Sequence, residues 1–197
     1  MKKLIKKILL NVILSYFKQK CNFFFKLYGG EGIGYVIEKM PSIHLIPLLR
    51  YYGANIGDFS DIDRGLIIHR ISKKNDLKKL TIGEKVYIGH NMLFDLSSKI
   101  GIGSNSAFGA NCQIWTHTGD WTLNRKDEHD KINPVKIGKA VICYSNVIMS
   151  QGIIIGDYVR VGASSVVVKD IPEKEFWAGS PAKLKKDRKE CFKKQQN

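Results

Sequence analysis

An apolar residue recurs every six positions through the middle of the chain, a spacing that neither a helix of 3.6 residues per turn nor a simple alternating strand produces. The series runs Ile56, Ile62, Ile68, then Ile82, Ile88, Phe94, then Ile102, Phe108, Ile114, and last an unbroken Ile137, Cys143, Met149, Ile155, Val161, Val167. Glycine follows many of these rungs, at Gly57, Gly83, Gly89, Gly103, Gly109, Gly138, Gly156 and Gly162, which predicts a tight corner with a permissive backbone. Four positions after the rung comes a second, usually small residue, as at Ser60, Val86, Ser106, Cys112, Val141, Val147, Val159 and Ser165, expected to point inward with it.

The interruptions define the architecture. Spacing widens only after Ile68, Phe94 and Ile114, each time after a whole number of hexad triplets. Three hexads therefore make one turn, and the chain reads as a mainly β protein: a triangular parallel β-helix of about five coils over residues 54–170, with every insertion leaving along one edge. The spacing disfavours a β-sandwich. Residues 117–134 form the longest insertion, whose polar, charged content suits a loop standing off that edge. Residues 1–53 read as a helical segment, one helix over 2–27 stopping near Gly29 and Gly30 and a second from Pro41 ending at Gly53. Residues 171–197 leave the coil at Ile171-Pro172 and end in a basic stretch from Lys183, expected to be a helix capping the open coil end.

Charge refines this picture. The net +14 is uneven: residues 1–30 carry seven Lys and no acid, and residues 181–197 carry seven Lys or Arg against Asp187 and Glu190. The coil body is nearly neutral, which argues against a nucleic-acid groove along it. Basic ends suit anionic ligands or a membrane surface. Two readings of the first helix stay open: a basic amphipathic helix lying on an anionic membrane, or a helix packed on the rest of the protein or on a neighbouring subunit. Lys6 and Lys7 interrupt its apolar stretch and the longest uncharged run, Ile8 to Phe17, is ten residues, so neither a signal peptide nor a membrane span is expected. Cys21, Cys112, Cys143 and Cys191 show no CxxC spacing and read as reduced thiols in a cytoplasmic protein.

His117, in Trp115-Thr116-His117-Thr118-Gly119-Asp120, sits where the chain leaves the coil for its longest loop. An imidazole there can take a proton from a hydroxyl or amine, and the rigid coil beneath fixes its position. Over roughly Leu48 to Lys186 the chain resembles the hexapeptide-repeat acyltransferases, most closely the sugar and polysaccharide O-acetyltransferases such as the maltose, galactoside and colanic acid enzymes. The resemblance rests on the hexads, on Trp115-Thr116-His117, on Pro134-Val135-Lys136-Ile137-Gly138, on Gly162 to Pro172, and on Ala178-Gly179-Ser180-Pro181-Ala182-Lys183.

The resemblance implies a left-handed coil, a homotrimer with acetyl-CoA in the clefts between subunits, and transfer of the acetyl group to a sugar hydroxyl in surface-polysaccharide assembly. By the same analogy His117 is the general base, and Asp130 or, nearer in sequence, Asp120 is the carboxylate orienting it. The corner at Tyr144-Ser145 supplies backbone N–H groups to the oxyanion and thioester. Cys143-Tyr144 replaces the family's Ile-Gly there, so a positive φ at Tyr144 would be strained. Ser145, Ala163, Val168, Lys169 and Lys183 fall at cofactor positions. Gly89 replaces an acceptor-contacting Asn, leaving His90, Asn91 and Trp115 as neighbouring acceptor candidates. No metal is expected: the γ-type carbonic anhydrases use the same coil with three His ligands, for which His69, His90 and His117 could be proposed, but that class places a second His five residues after the first, and five after His90 stands Asp95. An amino-sugar N-acetyltransferase and a non-catalytic β-helix scaffold are the rival functions.

Overall fold

The computed structural model describes residues 2–118 and 131–187. Three parallel sheets wrap into a triangular prism, and the hexad rungs stack in register within each sheet. Ile56, Ile82, Ile102, Ile137 and Ile155 form one ladder. Ile62, Ile88, Phe108, Cys143 and Val161 form the second, which Trp177 extends. Ile68, Phe94, Ile114, Met149 and Val167 form the third. All these rungs are buried, so each strand of two or three residues is held by burial and by the ladders above and below rather than by its own length.

The inward serines complete the hydrogen bonding of the corners. Ser106 Oγ donates to Gly138 O (3.1 Å) and accepts from Val141 N–H (3.1 Å), joining successive coils. Ser60 does the same with Gly83 O and Val86 N–H.

The glycines after the rungs have a different reason from the one expected. Their φ values are not positive; the left-handed residue lies two positions later, at Phe59, Lys85, Asn91, Asn105, Asn111, Ala140, Asn146, Tyr158 and Ser164. What the glycines supply is room. A Cβ on Gly103 would lie 2.5 Å from the carbonyl carbon of Gly138 in the next coil, and one on Gly57 would lie 2.5 Å from the Glu84 nitrogen. The strain expected at Tyr144 is accordingly absent, because the positive φ at its corner falls on Asn146 (62°).

Three helices close the lower end: α1 (Lys2–Tyr28), α2 (Gly30–Lys39) and α3 (Ser42–Tyr51). The first helix stops at Tyr28, before Gly29 (φ 62°), as the sequence indicated, but α2, which Gly30 opens, was not foreseen. Its glycines are contact points, since a Cβ on Gly30 or Gly32 would collide with the Ile71 or Phe24 carbonyl. Leu45, Leu48, Leu49, Ile33 and Ile37 continue the coil core downward. At the upper end the expected basic helix gives way to a hairpin: Glu175–Ala178 adds to the second sheet, and Lys183–Asp187 pairs antiparallel with it. The exposed basic strand covers the last sheet edge. The remainder of that segment, with Cys191, lies outside the described residues, and the other cysteines are buried free thiols. Burial raises all three thiols, Cys21 to about 11.

Candidate active site

All three insertions leave from the corner between the third and first sheets, as their spacing required. The first residues beyond the third-sheet rungs therefore stack, with His69 pairing Asp95 in register. Trp115 follows one coil higher. His117 and Thr118 then pair antiparallel with Lys131 and Ile132, so the long insertion starts as a short ribbon rooted in the coil. Asn133 N–H donates to Thr116 O (2.9 Å) and ties its base.

His117 Nδ1 lies 2.6 Å from Asp95 Oδ2. Asp95 is fully buried, and its carboxylate also accepts from Ser97 N–H (3.2 Å), Ser97 Oγ (2.8 Å), Thr116 N–H (2.8 Å) and Thr116 Oγ1 (3.0 Å). Burial alone would raise this carboxyl, but the hydrogen bonds from His117, Ser97 and Thr116 outweigh it and hold it below the ordinary carboxylate value. An ionised Asp95 can only accept, so Nδ1 carries a proton, and in the neutral ring Nε2 is then the nitrogen that can accept one. Lys79 Nζ donates to Leu96 O (2.8 Å) and so fixes the turn that carries Ser97. The imidazole is 13% exposed, with the ring of His69 stacked on it at 5.6 Å and the Trp115 ring edge-on at 5.9 Å. A basic nitrogen on an anchored ring at the mouth of a rigid edge can abstract a proton from a bound hydroxyl or amine.

The sequence passed over Asp95. It attached the orienting role to Asp120 and Asp130, both of which lie outside the described residues. The column of positions just after each third-sheet rung was the available signal.

His69, Asp95 and His117 also place donor atoms within 4.8 Å of one another. They do not fit a metal ion. Both Asp95 oxygens are filled by hydrogen bonds, and the two imidazoles stack at 23°, so their in-plane lone pairs run side by side rather than converging. His90 stands at another corner, against Asp63 (3.4 Å), so the three histidines weighed as a metal set do not meet.

The remaining candidates divide between two corners. Gly89, His90, Asn91, Tyr144, Ser145 and Ala163 line the corner between the second and third sheets, whereas Trp115, His117, Val168 and Lys169 belong to the insertion corner. Tyr144 N–H is committed to Val161 O (3.0 Å), which removes it as an oxyanion donor. The N–H groups of Ser145 and Ala163 donate to nothing among the described residues. At the first corner the equivalent N–H groups of Glu84 and Lys139 are satisfied by Ser104 Oγ (3.0 Å) and Asp157 Oδ1 (2.9 Å), whereas those of Asp58, Ser104 and Asp157, like those of Ser145 and Ala163, donate to nothing among the described residues. Lys169 Nζ rests over the Trp177 ring (5.1 Å), and Lys183 opens the exposed strand of the terminal hairpin.

No family model matches the chain. Among curated sequences, the protein named as colanic acid biosynthesis acetyltransferase WcaF of Escherichia coli (strain K12) is 30% identical over 145 residues, 73% of this chain and 74% of WcaF. The galactoside O-acetyltransferase of the same organism is 29% identical over 141 residues, 58% of this chain and 68% of its own. A hexapeptide-repeat acetyltransferase from Vibrio cholerae O1 biovar eltor, solved with acetyl-CoA, superposes with a TM-score of 0.70 at 20% identity over 88% of both chains. AntD, an N-acyltransferase from Bacillus cereus solved with dTDP and CoA, gives 0.61 at 21% identity over 74% of this chain and 78% of its own. The prism is thus the left-handed parallel β-helix. The chain belongs to the hexapeptide-repeat acetyltransferase family.

Proposed function

We propose that the protein transfers an acetyl group from acetyl-CoA to a sugar hydroxyl, in the cytoplasm and in the assembly of a surface polysaccharide, as a homotrimer whose sites lie between subunits. The observation that carries this reading is the Asp95–His117 pair, which fixes the imidazole with Nε2 as a proton acceptor at an open edge. Trimer formation is supported by the division of the candidates: His117 and the open N–H groups of Ser145 and Ala163 occupy different corners of one prism, so a second copy must bring them together.

In this mechanism Nε2 removes the acceptor hydroxyl proton as its oxygen attacks the thioester carbonyl carbon. The oxyanion of the tetrahedral intermediate accepts from a neighbouring copy's Ser145 N–H. Collapse breaks the C–S bond, and the imidazolium returns its proton to the departing thiolate, giving the acetyl ester and CoA. Ala163 N–H serves the pantetheine amides, Lys169 and Lys183 the CoA phosphates, and Trp115 with the His90–Asn91 corner the acceptor.

Incubation with acetyl-CoA and a panel of sugars and amino sugars, read by free-thiol release and by product mass spectrometry, tests the reaction. An ester on a sugar supports it; an amide alone assigns N-acetylation, the chemistry named for AntD, and overturns the hydroxyl acceptor. Sedimentation at three times the 22.3 kDa chain mass is expected, and a monomer fully active at all concentrations contradicts the shared site.

A further inference from the structure

Helix α1 carries two apolar stripes on opposite sides, and the protein buries only one. Leu14, Phe17, Phe24 and Phe25 pack around buried Cys21 against the core. Ile5, Ile8, Leu9, Val12, Tyr16 and Phe23 recur at helical spacing (5, 8, 9, 12, 16, 23) on the other side, and each is more than half exposed, from 51% at Ile5 to 61% at Val12. Such a stripe on water is costly, since its exposed apolar surface forgoes the gain that burial would bring.

Its charge selects the partner. Residues 1–30 hold seven lysines and no carboxylate. A second copy of α1 laid on this stripe would double that charge with no acid on either helix to pair with it. An anionic bilayer supplies both an apolar layer for the stripe and phosphates for the lysines. No described helix is long and apolar enough to cross a membrane, which leaves α1 along the surface.

We propose that α1 docks this second stripe on an anionic phospholipid bilayer, lying in the plane of the surface and holding the coil at the membrane. Co-sedimentation of the full chain with phosphatidylcholine vesicles, with and without about one quarter phosphatidylglycerol, tests it. Binding to the anionic vesicles is expected to be about tenfold or more tighter, and to weaken when salt is raised from about 0.05 to 0.5 M. Lys2, Lys3, Lys6 and Lys7 replaced by Gln should lose about tenfold or more of that binding, and Ile8→Ser with Val12→Ser should lose a similar factor at unchanged charge. Both variants should keep the wild-type circular dichroism spectrum and transferase activity on a water-soluble acceptor. Equal, weak binding to both vesicle types overturns the proposal. So does a lipid-free sedimentation mass that drops in the Ile8→Ser, Val12→Ser variant, which would make the stripe an interface between copies.

Discussion

Asp95 Oδ2 stands 2.6 Å from His117 Nδ1, although 22 positions separate the residues in sequence. The coil makes this contact: Asp95 ends one turn, His117 follows the end of the next, and stacking sets the first beneath the second. Ser97 and Thr116 then saturate the carboxylate, so the pair is both buried and satisfied.

Asp95→Asn should lower kcat by about 10³- to 10⁴-fold, because an amide nitrogen facing Nδ1 favours the tautomer with its proton on Nε2. The KM for acetyl-CoA should change little. Steady-state thiol release checks this, and a rise in KM at constant kcat would reassign Asp95 to binding.

Acid stability should depend on the same carboxyl. Its pKa is depressed in the folded protein, so its contribution is present above the unfolded carboxyl value of about 3.9 and is lost as pH falls through the lower folded value. Urea unfolding between about pH 2 and 6 should show wild-type stability falling more steeply below pH 4 than that of Asp95→Asn. Parallel curves would deny the hydrogen-bond set this energetic role.

Gly101 and Gly103 flank the same rung residue and should respond oppositely to Ala. A Cβ on Gly101 meets nothing within 4 Å, whereas one on Gly103 meets the Gly138 backbone at 2.5 Å. Gly103→Ala should cost about 1–3 kcal/mol and Gly101→Ala be neutral or slightly stabilising. Equal costs in chemical denaturation would contradict close coil stacking as the reason for the glycines.

Phe108 fills the middle of the second ladder between Ile88 and Cys143 and is fully buried. Phe108→Ala should cost about 3–5 kcal/mol, measured by the same unfolding, with the imidazole edge unaltered.

The coil was legible because its stacking imposes a period on the chain, and each rung from Ile56 to Val167 is both spaced and buried as that period requires. The edge bearing His117 was legible for the same reason, since the gaps after Ile68, Phe94 and Ile114 fall at one corner. Features that depend on contact between coils left no such mark. Gly103 advertises permissiveness in sequence and supplies clearance in space; Gly30 read only as the end of one helix, and it also opens a second that packs against the Ile71 backbone. Asp95 was hidden because its partner is reached across the stack rather than along the chain. Lys183 opens the segment expected to cap the coil end as a helix, yet its strand pairs with Ala178, a tertiary choice that composition does not encode.

The most direct test is His117→Ala, followed by turnover and by acetyl-CoA binding calorimetry on the same preparation. A fall in kcat of about 10³-fold or more with the acetyl-CoA Kd within about threefold of wild type is expected for a general base that takes no part in holding the donor. Wild-type turnover in that variant would contradict the assignment of the Asp95-anchored imidazole as the base.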